Sequence, residues 1–437
     1  MTNLFLNLKL LVICLISSLG VFAQLPERVL VGYWHNWDEG SSLPFLELNE
    51  IDERYNVICL SFAVASGGDP ADMQFNIYSG SSYNDTELKL DIADKRAEGK
   101  VVLMSVGGAT GSFRLTNETK KNGFVADMKS LIQEYGLDGI DIDLEQKSNV
   151  CMYSGTIQNP TDIHVTLMIS ALEELLTWYQ TTYGEKMILT MAPETAYVQG
   201  GLSSYQVNNI CGGSYLPIIE ALAEDIDLLM VQLYNSGEMF DLDLTIHNQG
   251  TQGFITSQTE AVIKGFTAAE GLGTFSGLSA NQIAVALPAC PSAGSGYISP
   301  TLLKPALNYL LGSGSKVGAY TLKTSGGYPN LRGVMTWSIN NDALANCGSV
   351  YEYAQVYQDV FEPLVTNQQL INSSAIKAYP NPASTFVVFE GAQEGVITDV
   401  SGKEVLTFQT ENVYVGDLIP GIYFVKFENT VIRMLKN

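Results

Sequence analysis

Asp138-Gly139-Ile140-Asp141-Ile142-Asp143-Leu144-Glu145 alternates acidic and aliphatic side chains at period two. Successive strand side chains point to opposite faces, so Asp141, Asp143 and Glu145 share one side and Ile140, Ile142 and Leu144 the other. An aliphatic face of this kind is covered by helices. Three carboxylates on the opposite face repel one another and are costly to desolvate, so such a stripe needs a compensating use. Two bland readings compete: a solvated edge strand, and a calcium loop, which requires an oxygen-rich glycine turn that this stretch lacks. The spacing favours a reaction centre over both.

Around this strand the chain repeats one pattern. Short apolar runs that read as strands span Val29 to Trp34, Asn56 to Val64, Lys100 to Val106, Asp138 to Glu145, Met187 to Pro193, Asp227 to Tyr234, Gln282 to Pro288 and Gly333 to Ser338. Helical stripes between them make the signature of a parallel sheet with crossover helices. Leu88, Ile92 and Ala93 form one stripe ended by Gly99, and Phe124, Met128, Leu131, Ile132 and Tyr135 form another ended by Gly136, where helix-terminating glycines belong. Pro160 and Thr161 open a longer helix carrying Ile163, Leu167, Leu172, Leu175 and Trp178. Eight repeats within residues 24–364 predict an α/β fold, a (β/α)8 TIM barrel, with a doubly wound sheet as the competitor. Against the competitor, no phosphate-cradling glycine fingerprint follows the first strand. Aromatic or polar residues also stand at strand C-terminal ends, where barrel enzymes place their chemistry: Tyr33 and Trp34, Glu145, Glu194, Tyr234 with Asn235, and Trp337.

The chain of 437 residues, 46% hydrophobic, exceeds one ordinary domain and can build a large core. A net charge of −23 argues against nucleic acid and anionic membrane as partners, because phosphate binding needs clustered Lys and Arg. His35, His164 and His247 are far apart and no Cys or His pair has zinc spacing, so neither a metal nor another cofactor is expected. Residues 1–23 carry Lys9 as their only charge and an apolar run from Leu10 to Phe22, which predicts a secretory signal peptide cut after Ala23. A membrane anchor would need about 20 apolar residues, and no second such stretch follows. Cleavage removes Cys14 and leaves Cys59, Cys151, Cys211, Cys290 and Cys347, so at least one cysteine stays unpaired. Cys59 lies in an apolar run and reads as a buried thiol; Cys151 with Cys211 and Cys290 with Cys347 are the expected bridges.

After Pro363 the periodicity changes. Residues 365–374 read as a polar linker, and residues 375–437 as a small all-β sandwich of short apolar runs separated by turns at Pro380-Asn381-Pro382, Ser401-Gly402-Lys403 and Pro420-Gly421.

On the acidic strand Glu145 is outermost, with Asp141 and Asp143 deeper. Crowded carboxylates raise some of their proton affinities, so one member can hold a proton near neutral pH, as a general acid must. Glycoside cleavage uses such an acid and usually a second carboxylate, for which Glu194 is the nearby candidate by strand position.

Asp138, Asp141, Asp143 and Glu145 reproduce the DxxDxDxE signature of glycoside hydrolase family 18, the chitinases and their relatives, and the chain resembles that family over about residues 27 to 362. Ser105-Val106-Gly107-Gly108 resembles the family's SxGG, Met191-Ala192-Pro193-Glu194 its fifth-strand motif, and Met230-Val231-Gln232-Leu233-Tyr234-Asn235 its sixth. Trp337 stands where the family closes its eighth strand with tryptophan. The resemblance implies a substrate-assisted retaining mechanism without a second carboxylate. Glu145 would protonate the glycosidic oxygen while the substrate's own 2-acetamido carbonyl attacks the anomeric carbon. Asp143 would orient the acetamide, with Asp141 and Asp138 as electrostatic and structural support. Tyr234 would bond the acetamide oxygen, Gln232 and Asn235 would shape the pocket, and Trp337 would floor it. An N-acetylated substrate follows, and chitin supplies it.

Plainer readings stand beside these. Trp337, Met191 and Met230 can simply pack the interior, and Ser105, Gly107 and Gly108 shape backbone. Glu194 can be a substrate contact or an ion-pair partner. Tyr33, Trp34 and Trp37 suit sugar stacking, with core packing the equal alternative for Tyr33. Pro288 to Gly333 is too short for the insertion that deepens many processive relatives, which predicts an open cleft and endo-type cleavage. Asn235 follows Tyr234 where many relatives carry aspartate.

The C-terminal unit resembles the sorting domain of the type IX secretion system of Bacteroidetes through Ala378-Tyr379-Pro380-Asn381-Pro382-Ala383, Asp399-Val400-Ser401-Gly402-Lys403, Pro420-Gly421-Ile422-Tyr423 and the tail from Arg433 to Lys436. That implies the type IX machinery as partner and a secreted or cell-surface location; a carbohydrate-binding module is the alternative. The leading reading is a monomeric extracellular chitinase. An endo-β-N-acetylglucosaminidase acting on N-glycan chitobiose cores, a peptidoglycan hydrolase and a chitin-binding lectin compete with it.

Overall fold

The computed structural model describes residues 24–111, 113–145, 154–203, 212–344, 348–362, 377–390, 394–399, 403–427 and 430–437. The expected signal peptide, the linker, and Cys151, Cys211 and Cys347 lie outside them. The chain divides into two compact units, Met1–Pro363 and Leu364–Asn437.

In the first unit eight parallel strands follow one another around a barrel: β1 Val29–His35, β2 Val57–Ala65, β3 Val101–Gly107, β4 Gly139–Asp143, β5 Ile188–Met191, β6 Leu228–Leu229, β7 Ala284–Pro288 and β8 Gly333–Trp337. Ladders join neighbours from β7 through β8 and β1 round to β6. The circuit closes between β6 and β7 through the parallel bridges Leu229–Ile283 and Gln232–Ala286. The barrel is therefore the architecture, and the doubly wound sheet is not.

Side-chain alternation builds two apolar layers. Val29, Val31, Tyr33, Cys59, Val101, Leu103, Ala192, Met230 and Met335 meet inside the barrel. Leu30, Ile58, Val102, Ile140, Ile142 and Leu189 face outward, beneath helices that bring Ile92, Phe124, Met128, Leu172 and Leu175. Helix α1 (Asp85–Ala97) starts at Asn84, whose side chain accepts from the Thr86 and Glu87 amides. Helix α2 (Glu118–Tyr135) ends at Gly136, φ 64°, and α3 (Ile163–Tyr183) at Gly184, φ 81°, left-handed caps that glycine adopts without a Cβ penalty.

Two expectations need correction. The first crossover, between β1 and β2, carries no α-helix among the described residues, only the short turns Gly40–Ser42 and Leu48–Glu50. The sixth strand pairs regularly over Leu228–Leu229 alone, because beyond it single bonds run alternately to both neighbours: the Gln232 amide to Pro193 and the Leu233 amide to Ala286.

The second unit holds two antiparallel sheets. One comprises Lys377–Tyr379, Phe386–Glu390 and Asn412–Tyr414; the other comprises Gly395–Thr398, Glu404–Phe408, Gly421–Phe427 and Thr430–Lys436. Val387, Phe389, Ile397, Val413, Tyr423 and Val425 form its core.

Candidate active site

The acids of β4 differ in depth, and each depth has its own partners. Asp138 points to the helix side, where Arg96 of α1 reaches its Oδ1 at 2.7 Å and the Val102 amide donates to Oδ2 at 2.9 Å. It ties α1 and β3 to the start of β4, a structural task. Asp141, fully buried inside the barrel, accepts three hydroxyls at 2.6 Å each, from Tyr33, Ser105 and Thr190. Burial raises its carboxyl above the ordinary value, and the three donors oppose that rise.

Asp143 and Glu145 lie at the mouth and meet at one amide. Gln232 Nε2 stands 2.9 Å from Asp143 Oδ1, 3.2 Å from Glu145 Oε1 and 3.0 Å from the Ala192 carbonyl. Burial pushes Asp143 well up, and the charges of Glu145, Asp141 and Glu194 push it further. Glu145 is pushed up to about 7, mainly by burial, with Gln232 opposing and Glu194 adding. A carboxyl that titrates there holds a proton in part of the neutral range, as a general acid needs.

Glu145 opens into a cavity of about 380 Å3 lined by Trp37, Phe62, Ala109, Thr110, Glu194, Gln232, Tyr234, Asn235 and Trp337. Trp337 and Phe62 stack at 5.9 Å and 17°. Behind the tryptophans lies His35, 4.2 Å from Trp37 and 4.6 Å from Trp337 between ring centroids. Burial lowers the His35 imidazole to about 3, so it stays neutral, and neither ring nitrogen has a hydrogen-bond partner among the described residues.

The two glycines after Ser105 are required by close approach, Gly108 because at φ 72° a Cβ would lie 2.7 Å from the Phe62 ring. Gly107 has φ 112°, and a Cβ there would lie 2.4 Å from the Asp143 carbonyl oxygen. The Gly108 amide donates to that same oxygen at 2.7 Å. Asn235, at φ 51°, is clasped by the 290–297 loop: its amide donates to the Ser295 carbonyl at 2.8 Å, and its Oδ1 accepts from the Ser295 amide at 2.9 Å. Gln249 braces the same turn by accepting from the Ser236 and Gly237 amides.

The structure thus gathers Glu145, Glu194, Gln232, Tyr234, Asn235 and Trp337 around one cavity, with Asp143 and Asp141 beneath. It places Met191 elsewhere: Met191 pairs with Ile142 in the outward register and is fully buried in the helix-facing layer. Tyr33 is not a stacking surface but a donor to Asp141, and Trp34 is buried with its indole on the Leu46 carbonyl. Cys59 is a buried free thiol. Cys290 is disulfide-bonded, while Cys347, its expected partner, lies outside the described residues. Thr190 joins the site through Asp141, and its signal in the sequence is a lone threonine in an apolar strand, which marks an inward polar contact. Phe62 has no such signal, because regular alternation turns it away from the cavity; a register shift between Leu60 and Ala63 re-aims it.

The profile of Glycosyl hydrolases family 18 matches residues 29–264, and that of the Secretion system C-terminal sorting domain matches residues 377–436. Chitinase Chi52 of Paenibacillus xylanexedens is 41% identical over 320 residues, covering 72% of this chain and 59% of the relative. Chitinase ChiA of Flavobacterium johnsoniae is 36% identical over 371 residues, covering 81% of this chain and 23% of the relative. The chain therefore spans less than two thirds of the length of either. The crystal structure of a family GH18 chitinase from Chromobacterium violaceum aligns with a TM-score of 0.66 at 31% identity, covering 79% of this chain and 86% of that one.

Proposed function

The chain belongs to family 18 of the glycosyl hydrolases, and on that premise we propose that it is a chitinase, cleaving β-1,4 bonds between N-acetylglucosamine residues with retention. The observation that carries the reading is the graded acidic strand: Glu145 alone of its inward acids reaches the cavity, over Trp337, with its carboxyl raised to about 7.

Protonated Glu145 gives its proton to the glycosidic oxygen. The substrate's acetamide oxygen attacks the anomeric carbon from the other face, and Asp143 takes up the positive charge that develops on the acetamide nitrogen. Asp143 can do this because Gln232 holds one of its oxygens and Asp141 is locked beneath it. Tyr234, whose hydroxyl burial keeps protonated, donates to the acetamide oxygen. Water then opens the oxazolinium ring, assisted by ionised Glu145.

Residues 289–332, between β7 and β8, hold one α-helix, Pro300–Leu311, and no strand. That supports an open cleft and endo-type cleavage. The C-terminal unit addresses the enzyme to a type IX export machinery, which places it outside the cell.

The deciding experiment incubates the mature protein with N-acetylglucosamine hexamer and, in parallel, with a high-mannose glycopeptide. Dimer and larger fragments from the hexamer alone are expected, and Glu145→Gln should lose turnover by about 10³-fold or more while still binding. Cleavage of the glycopeptide alone would refute the chitinase reading and keep the acid; silence on both would leave a sugar-binding protein.

A further inference from the structure

Beyond Asp143 the fourth strand has run out of neighbours. Its ladder with β3 ends at Gly107–Asp143 and its ladder with β5 at Ile142–Met191. Leu144 therefore carries an amide and a carbonyl that no strand satisfies, immediately before Glu145. Both turn to one side chain: the Leu144 amide donates to Tyr215 Oη at 2.9 Å, and Tyr215 Oη donates to the Leu144 carbonyl at 2.9 Å. One hydroxyl spends its donor and an acceptor site on a single residue.

Tyr215 is itself held rigidly. It is fully buried, its amide donates to the Tyr197 carbonyl at 3.0 Å, and its own carbonyl accepts from Ile218 and Ile219 at 3.0 Å each. Leu144 places its side chain in the helix-facing layer, 1% exposed. Its backbone is then pinned from the other direction by the phenol. With the residue before it fixed on two sides, the Cα of Glu145 has one position.

We infer that Tyr215 is a positioning residue for the acid, a phenol that stands in for a missing strand and aims Glu145 at the leaving oxygen. The inference rests on the reading of Glu145 as the proton donor. It differs from a general structural role in one respect. Weakening it should slow bond cleavage only where a proton must be delivered to the leaving group. A sugar leaving group needs that proton; an acidic phenol does not.

The test compares Tyr215→Phe with the parent on N-acetylglucosamine hexamer and on a nitrophenyl glycoside of the N-acetylglucosamine dimer. Misplacing a catalytic group by an ångström costs up to about 10²-fold, so kcat on the hexamer should fall by about 10- to 100-fold while KM stays within about twofold. On the nitrophenyl substrate kcat/KM, which stops at loss of the leaving group and leaves out the later ring opening, should fall by no more than about threefold. Equal losses on both substrates, or no loss on the hexamer, would overturn the inference. If Tyr215→Phe does not fold, Tyr215→4-aminophenylalanine keeps a donor and a weaker acceptor and carries the same comparison with a loss of about three- to tenfold. Glu145→Gln, run beside it, must show the same dependence on leaving group. Its failure to do so overturns the acid assignment and the inference together, whereas a normal Glu145→Gln with an indifferent Tyr215→Phe overturns the inference alone.

Discussion

Replacing Gln232 by leucine tests the electrostatics of the mouth most directly, because one amide nitrogen serves both reacting carboxyls. Gln232 Nε2 faces three oxygens, Asp143 Oδ1 at 2.9 Å, Ala192 O at 3.0 Å and Glu145 Oε1 at 3.2 Å, with two hydrogens to offer. The longest of the three, to Glu145, belongs at the weak end of bonds to charged groups, ~1.5 kcal/mol. One pKa unit corresponds to about 1.4 kcal/mol, so losing the bond should raise Glu145 by about one unit. The leucine side chain removes a polar neighbour as well, which strengthens desolvation and pushes in the same direction. The sign for catalysis follows from the role. The acid must be protonated in the free enzyme, so activity falls as pH rises through its pKa, about 7 in the parent. In Gln232→Leu that basic limb should move up to about pH 8. The assay is kcat/KM for N-acetylglucosamine hexamer, whose sugar leaving group needs the proton, between about pH 4 and about pH 10, since that ratio reports the free enzyme. A limb that stays in place or moves to lower pH refutes the account of Glu145, whatever happens to the plateau.

Three further outcomes are expected. Tyr234→Phe should lower kcat by about 10²–10³-fold if its hydroxyl meets charge developing on the acetamide oxygen, read by single-turnover kinetics. Tyr33→Phe takes one of three donors from buried Asp141 and should cost about 1–3 kcal/mol of stability; because the folded carboxyl already lies above its ordinary value of 3.8, an ionised Asp141 is the strained form, so urea melts should show a larger deficit at neutral pH than near pH 4. Gly107→Ala forces a Cβ against the Asp143 carbonyl at φ 112°, which should cost about 2–3 kcal/mol and displace Asp143, so thermal melting and kcat should fall together.

The barrel was legible because its strands are buried on both faces and still keep parity. Odd residues of β1, β3 and β4 face inward, which places Tyr33, Ser105, Asp141 and Asp143 together. Parity also shows why Met191 was misplaced: Thr190 touches Asp141, so the residue after it must face the helices. Where parity fails, sequence reading fails with it. The shift in β2 turns Phe62 into the cavity, and the sixth strand leaves its ladder at Met230. Tyr215 had no local signal at all. Its partner is 71 residues away and the bonds go to backbone atoms, which any residue type supplies. Gln249 was hidden for the same reason, since its oxygen caps two backbone amides of a turn.

The order of acids along one strand carries a further argument about how a single proton can be kept where it is needed. Asp141 sits deepest, yet three hydroxyls at 2.6 Å favour its ionised form. Burial raises the proton affinity of Asp143 above it, and negative charge on Glu145 and on Asp141 raises it further. Two carboxyls bridged by one amide then cannot both be ionised cheaply, and the pair holds a proton between them. Before cleavage that proton belongs on Glu145, the member in the cavity, and Asp143 must be ionised to meet a cationic acetamide nitrogen. Binding of the acetamide supplies the bias: its N–H donates to Asp143 and stabilises the anion, so the proton moves to Glu145 as the substrate arrives. On this argument Asp143→Asn should do more than remove a hydrogen-bond acceptor. It also removes the charge that Asp143 contributes around Glu145, so the basic limb should fall below the parent's while kcat drops by at least about 10²-fold. Calorimetry of binding an N-acetylglucosamine oligomer in buffers of different ionisation enthalpy checks the proton's path: transfer within the pair predicts little net uptake or release near pH 6. A full proton exchanged with buffer would show that the two acids titrate independently.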